Sequence, residues 1–257
     1  MVNHASQNKR STDMKNRIFL NLLAVSTLVF MSGCGSSSGG SDNIDFDANA
    51  YPKSTLTQEV KDALAYMGNE ERLAYDVYMN LYDHHIANGI EIKQLLNISQ
   101  NAETKHIDIV QQLVRKYQLT QKELSDVSDP VADNTVTQSD MPRGVYDIAK
   151  IQELYDGLYA KGVDSKRDAL EVGCMVEVVD VTDLDEYIRL AQTSEAKDVV
   201  DAFNILRNGS YNHYWAFDKG LKNIGISEGC CSLGDTYCHP EYPQNEKGNG
   251  GEGKGRK

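Results

Sequence analysis

The chain has 257 residues and carries 26 Lys and Arg against 38 Asp and Glu, a formal net charge of −12. Such an acidic surface repels phosphate backbones and argues against nucleic acid as a partner, while it suits the attraction of cations. The length allows one domain with a sizeable core plus flexible ends.

The first element in chain order is a leader. Lys15 and Arg17 precede an apolar run, Ile18 to Met31, that ends in Met31-Ser32-Gly33-Cys34. A short positive region, an apolar stretch and small residues before a cut describe a secretory signal. Small residues followed directly by cysteine describe its lipoprotein version, in which the thiol of Cys34 is lipidated and becomes the mature N-terminus. The run of about 14 residues falls short of the roughly 20 that span a bilayer as a helix. Residues 1–33 are therefore expected to be a signal peptide. Met14 is an alternative start, because Met14-Lys15-Asn16-Arg17 alone makes a compact positive region. Residues 34–54, opening on a Gly/Ser stretch from Gly35 to Ser41, are expected to be a flexible tether. The protein is then expected to be exported and lipid-anchored in the cell envelope, touching the membrane through the lipid alone. No Asp follows Cys34, which in a Gram-negative cell favours the outer membrane or its periplasmic face. Export would place Cys174, Cys230, Cys231 and Cys238 in an oxidising space.

Five segments carry helical periodicity, roughly Thr57 to Asp83, Ile92 to Tyr117, Tyr146 to Ala160, Lys166 to Leu190 and Ala196 to Lys222. Thr55-x-x-Gln58 reads as a capping box for the first, Ser165-x-x-Asp168 as a looser one for the fourth, and Gly162 as a C-cap for the third. No strand pattern competes: the β-branched run Val176–Val181 has Glu177 and Asp180 at helical spacing. Short connections make antiparallel hairpins of the first two and last two long helices. Gln118–Asp164, with Pro130, Pro142 and the short helix, links them. The expected fold is all-α: a ferritin-like four-helix bundle of two hairpins joined by a long crossover, covering 55–225. Residues 226–257 are expected to be a Cys-containing loop and then a disordered Gly/Lys-rich tail.

Written as heptad seams, the four long helices expose their core positions. They are Leu64, Met67, Glu71, Ala74, Tyr78, Leu81; Ile92, Leu96, Ser99, Glu103, His106, Val110, Leu113, Tyr117; Leu170, Gly173, Glu177, Asp180, Leu184, Tyr187; and Val199, Phe203, Leu206, Ser210, His213, Phe217, Gly220. Each seam is apolar at both ends and polar in the middle, so an antiparallel bundle brings the polar steps to one level. Burying an unpaired carboxylate costs several kcal/mol, and several in one layer repel one another. Protons or bound cations must compensate. Carboxylates and imidazoles on facing helices, with Glu103 and His106 at i, i+3, are the ligand set of di-iron and di-manganese bundles. Glu71, Glu103, His106, Glu177 and His213 are the expected metal ligands, with Asp180 as an additional ligand or an outer partner. Glu70 competes with its neighbour Glu71, which has the better heptad position. The expected cofactor is a divalent transition metal, iron first, with manganese or zinc as alternatives.

Glu70-Glu71-Arg72-Leu73-Ala74-Tyr75-Asp76-Val77-Tyr78, the Glu103-x-x-His106 step, Glu177-Val178-Val179-Asp180-Val181-x-Asp183-Leu184 and Gly209-Ser210-x-Asn212-His213 resemble an uncharacterised prokaryotic branch of the ferritin-like superfamily, domain-of-unknown-function family 2202. The similarity spans roughly 57–222. It implies a ferritin-like bundle and a carboxylate-bridged dinuclear site, and it supplies no known reaction. Ser210 departs from the superfamily pattern, which has Glu there; the site is then asymmetric, mononuclear or completed by Asp180.

His84 and His85 read as solvated or as partners of a helix C-terminus, and His239 as an exposed tail residue. One disulfide is expected between Cys238 and Cys230 or Cys231; the remaining tail thiol pairs with Cys174, or Cys174 is a buried free thiol. No catalytic residue is assigned, and Tyr78 alone lies near enough to the layer for a redox role. The leading functional reading is a metal-dependent oxidoreductase acting on dioxygen or peroxide. The alternatives are metal binding without turnover and a structural or interaction lipoprotein with a degenerate site. Metal ions are the expected partners, and a homo-oligomer stays open.

Overall fold

A computed structural model describes residues 46–119, 142–146 and 148–244. The signal region, Cys34, the Gly/Ser stretch, Pro130 and the Gly/Lys-rich end lie outside the described residues. Among those described, every regular element is helical. They are α1 Gln58–Ala87, α2 Lys93–Ile98, a π-helical turn Ser99–Glu103, α3 Thr104–Tyr117, α4 Ala149–Gly162, α5 Lys166–Thr193 and α6 Lys197–Asn223, with 3₁₀ turns at Ala48–Ala50, Gly229–Leu233 and Asp235–Tyr237. No described helix is long and apolar enough to cross a membrane.

The helix starts follow local chemistry. Thr57, not Thr55, caps α1, accepting from the Val60 amide at 3.4 Å. Leu56 must reach the core in extended chain, so the helix cannot begin before it. Ser165 caps α5 by accepting from Asp168 N at 3.1 Å, as its spacing predicts. Gly162 is not a left-handed cap. It lies inside α4, where a Cβ would stand 2.5 Å from Leu81 Cδ1, so glycine there permits close approach of α1. α4 begins at Ala149 rather than Tyr146, because Tyr146 is committed as an anchor. Its hydroxyl donates to Asp76 at 2.7 Å, while Arg72 binds the carbonyls of Pro142 and Val145 and lies over the Tyr146 ring.

Helix α1 packs against α3, α4 and α5, and α6 packs on α5 and α3. Gly173 near the start of α5 lies against Phe217 near the end of α6. Tyr117, closing α3, meets Ser54 just before α1 and Asp198 at the start of α6. α1 and α6 therefore run one way and α3 and α5 the other. Their apolar core is two clusters rather than one. One holds Leu73, Val77 and Leu81 of α1 with Val172 and Val176 of α5 and Phe217 and Leu221 of α6. The other holds Leu64 and Met67 of α1 with Val110 and Leu113 of α3, Leu184 of α5 and Phe203 and Leu206 of α6. Between them, on every long helix, lies a polar step: 68–72, 99–106, 177–183 and 209–213.

Among the described residues, the segments flanking the helices pack onto them on both sides. Residues 46–54, expected as tether, pack on the second cluster through Phe46 and Ala48, and Lys116 binds the carbonyls of Tyr51 and Pro52. In the tail, Cys230 bonds Cys174 of α5, and Cys231 bonds Cys238. Tyr214 and Trp215 of α6 hydrogen-bond the carbonyls of Tyr237 and Tyr242.

Candidate metal centre

The π-turn sets the site. It closes i→i+5 hydrogen bonds, so the chain before it is rotated relative to a continuous heptad seam. Leu95 is consequently buried where the seam expected Leu96, and Tyr117 at the far end is only half-buried. Glu103 is the last residue of the turn, and its two carboxylate oxygens diverge. Oε2 lies 3.1 Å from His106 Nδ1 and Oε1 lies 3.1 Å from His213 Nδ1. His106 Nδ1 also meets Glu71 Oε2 at 3.0 Å, and His213 Nδ1 faces Glu177 Oε2 at 3.4 Å. Two groups suited to a cation result, Glu71–Glu103–His106 and Glu103–Glu177–His213, with Glu103 common to both. The two imidazoles are stacked with centroids 5.5 Å apart. All five residues are at most 7% exposed.

These contacts are closer than their hydrogen bonding accounts for. Glu71 Oε1, Glu103 Oε1, His213 Nδ1 and Asp180 Oδ1 are buried without a hydrogen-bond partner. His213 Nδ1 and Glu103 Oε1 approach to 3.1 Å yet do not point at each other as donor and acceptor. A first-row metal with bonds of about 2.1 Å holds ligands at right angles about 3 Å apart. Lone pairs converging at that spacing, from oxygen and imidazole donors, fit such an ion.

Without a metal, protons balance the layer. Burial disfavours both imidazolium ions, but the carboxylates outweigh it. Glu71 and Glu103 hold His106 well above its ordinary range, and Glu177 with Glu103 pushes His213 up to about 10. Burial alone would raise Glu103; His213 and His106 on its two sides overcome this and hold it below the usual carboxylate range. Burial raises Glu71 to about 7 against the pull of His106, and raises Glu177 against that of His213. Asp180 is pushed far up, by burial first and then by Glu71 and Glu177.

Three supporting residues complete the layer. The Tyr78 hydroxyl, fully buried, donates to Glu177 Oε1 at 2.5 Å and leaves Oε2 to face His213. Ser210 is not a ligand in either group; its hydroxyl bonds Asp180 Oδ2. Gly209 carries no ligand atom, yet it makes room for one. A Cβ there would lie 2.4 Å from His106 Nε2, so only glycine leaves room for the ring. Neither group includes Asp180.

Glu70 is neither a ligand of these groups nor an exposed neighbour. It is 5% exposed, its carboxyl is raised by burial first and then by Asp183, and both of its oxygens are buried with no hydrogen-bond partner. Other histidines also depart from their expected settings. His85 is buried and its Nε2 donates to the Gly162 carbonyl at 2.8 Å, because α1 continues to Ala87 and carries it under α4. His239 stacks on Tyr242 at 4.5 Å instead of standing free in solvent.

Residues 60–235 match the uncharacterized protein domain DUF2202. The chain belongs to that family. It is 34% identical over 177 residues to the uncharacterized protein MJ0754 of Methanocaldococcus jannaschii, covering 69% of this chain and 83% of that one. The crystal structure titled as the hypothetical protein MJ0754 superposes with a TM-score of 0.55 at 33% identity, covering 68% of this chain and 86% of the other. The matched span includes every residue of both metal-suited groups. This member of the DUF2202 family thus pairs an all-helical fold with buried Glu/His groups that could hold metal.

Proposed function

We propose that the chain is a ferritin-like four-helix bundle of two antiparallel hairpins, crossed by the segment that carries α4, and that it binds a carboxylate-bridged pair of divalent transition metals. The observation that carries this is Glu103, whose two oxygens each face the Nδ1 of a different histidine. Iron is the proposed metal, with manganese or zinc as the alternatives for an oxygen and imidazole set. Dioxygen or peroxide is the proposed substrate. Bound there, a reduced iron pair supplies the two electrons that convert a peroxide and two protons to water, one from each ion. The chain supplies the rest. Glu71 and Glu177 would hold the metals together with Glu103, His106 and His213, Tyr78 fixes the orientation of Glu177, and the two apolar clusters keep bulk water from the layer. Metal binding without turnover is the second reading, favoured by the near-complete burial of all five ligands.

Export and lipid anchoring at Cys34 are part of the proposal. The leader supports them, and so do the two disulfides, which persist in oxidising compartments. The test is anaerobic loading with Fe(II) followed by addition of peroxide. Consumption of one peroxide per two Fe(II) oxidised, repeated when a reductant is supplied, is the expected result. Stoichiometric binding with no faster oxidation than free Fe(II) would leave only the non-catalytic reading.

A further inference from the structure

We infer that Asp180 is the sixth protein ligand of the centre, and that Ser210 is its hydrogen-bonding support rather than a lost ligand. This rests on the metal-pair reading above. In a bundle of this kind each of two helices contributes a Glu-x-x-His step. Here α6 has Ser210-x-x-His213, which leaves the whole set one carboxylate short of that pattern. The missing group is restored from the neighbouring helix. Asp180 lies three residues after Glu177 on α5, about one turn along the same side of the helix. Ser210 lies three before His213 on α6, and the two side chains meet there. The hydroxyl engages Oδ2 alone. Oδ1 is left buried, with no partner, on a residue that is 7% exposed.

A buried carboxylate oxygen with no hydrogen-bond partner, one helical turn from the ligand Glu177, suits a cation. A carboxyl placed only to staple α5 to α6 gains nothing from that position, since a neutral side chain bonds Ser210 equally well. The Ser210 oxygen also lies 3.0 Å from the Leu206 carbonyl, so its one proton is shared between that carbonyl and Asp180 Oδ2, and the hydroxyl is held on α6 beside Asp180. The assignment makes Asp180 a one-oxygen ligand through Oδ1, and it explains how the chain dispenses with a glutamate on α6.

The experiment compares metal binding by full-length wild type, Asp180→Asn, Ser210→Ala and the double variant Asp180→Ser/Ser210→Glu. Each is titrated with Fe(II) and with Co(II) under anaerobic conditions, with chelator competition for affinity and Co(II) ligand-field bands for the donor set. Helix content is checked by circular dichroism. Wild type is expected to bind two ions. Asp180→Asn, which preserves the volume and the bond to Ser210, should lose the second ion or bind it at least about 100-fold more weakly. Ser210→Ala should retain two with an affinity about 10-fold lower, the scale of an outer hydrogen-bond partner. The double variant moves the carboxylate from α5 to α6 and should return to two, with altered Co(II) bands. Two ions at wild-type affinity in Asp180→Asn would overturn the inference. A swap variant that folds yet binds fewer ions than wild type would also overturn it, and it decides the matter if Asp180→Asn fails to fold. No metal in wild type would instead overturn the metal-pair reading itself.

Discussion

Replacing Gly209 with alanine adds one methyl group to α6 at the point where His106 rests. The new Cβ would lie 2.4 Å from Nε2 and 2.5 Å from Cε1, about 1 Å inside the 3.4 Å at which ordinary contact begins. The ring cannot simply retreat, since its other nitrogen is 3.0 Å from Glu71 and 3.1 Å from Glu103. Two opposing terms set the stability change. Glycine to alanine within a helix contributes about 1 kcal/mol in favour of folding. Overpacking of a closed core costs about 1–3 kcal/mol. The net loss is therefore at most about 2 kcal/mol, or a midpoint no more than about 8 °C lower for a domain of this size. Binding should suffer far more. A displacement of about 1 Å removes His106 Nδ1 from its place in the first group, and losing a ligand exceeds the 10–100-fold effect of losing an outer partner. Chelator competition on folded Gly209→Ala should show one weakened ion, at least about 100-fold, beside one retained at the His213 group. Two ions held at wild-type affinity would refute the role given to the glycine and the placement of His106.

The protonation of the metal-free layer makes metal binding pH-dependent. His106 and His213 must both release protons, and Glu71, raised to about 7, adds a further one in the lower part of the range, so affinity for the pair should rise at least about 100-fold per pH unit between pH 6 and 8, with proton release visible in weak buffer. A pH-independent affinity would contradict it. Stability of the metal-free protein runs the other way. His213, raised to about 10, contributes stability that is complete below its ordinary 6.5 and lost as pH rises through 10. Glu71, raised to about 7, favours the fold increasingly as pH falls from 7 to 4.5. Thermal midpoints of the apo protein should therefore be lower at pH 9 than at pH 6, and the reverse order would count against the assigned pairs. Glu70→Gln mimics the protonated acid, so it should stabilise the apo protein at pH 8 and leave metal stoichiometry unchanged; loss of a metal ion would make Glu70 a ligand. Cys174→Ala/Cys230→Ala opens a bridge of sequence separation 56 and should cost about 4 kcal/mol in denaturant unfolding, against about 2.5 for Cys231→Ala/Cys238→Ala with its separation of 7. Equal losses would contradict the chain-entropy account.

Much of this arrangement is legible in heptad spacing. Leu64, Met67, Ala74, Tyr78 and Leu81 bracket Glu71 on one seam, and the same apolar–polar–apolar order recurs on the other three. That repetition locates the layer, because apolar residues at both ends fix which face of each helix is buried. Spacing does not reveal how the layer is assembled. Nothing in Ser99-Gln100-Asn101-Ala102-Glu103 announces a π-turn. Gly209 reads as an indifferent glycine until His106 is placed against it from another helix. Glu70 and Asp183 each resemble a wet-face acid in their own helix, and only their juxtaposition buries them as a pair. The tail misleads for a different reason. Its Gly and Pro content describes the backbone, whereas its order comes from two covalent bridges and the Tyr214 and Trp215 anchors.

The central claim is a pair of metal ions sharing Glu103. Crystals of Fe(II)- or Mn(II)-loaded protein, measured with anomalous scattering at the metal edge, test it most directly. The account predicts two anomalous peaks per chain, one beside Glu71 and His106 and one beside Glu177 and His213, with Glu103 between them. A single peak away from Glu103, or no peak in protein whose helices are intact, would contradict it.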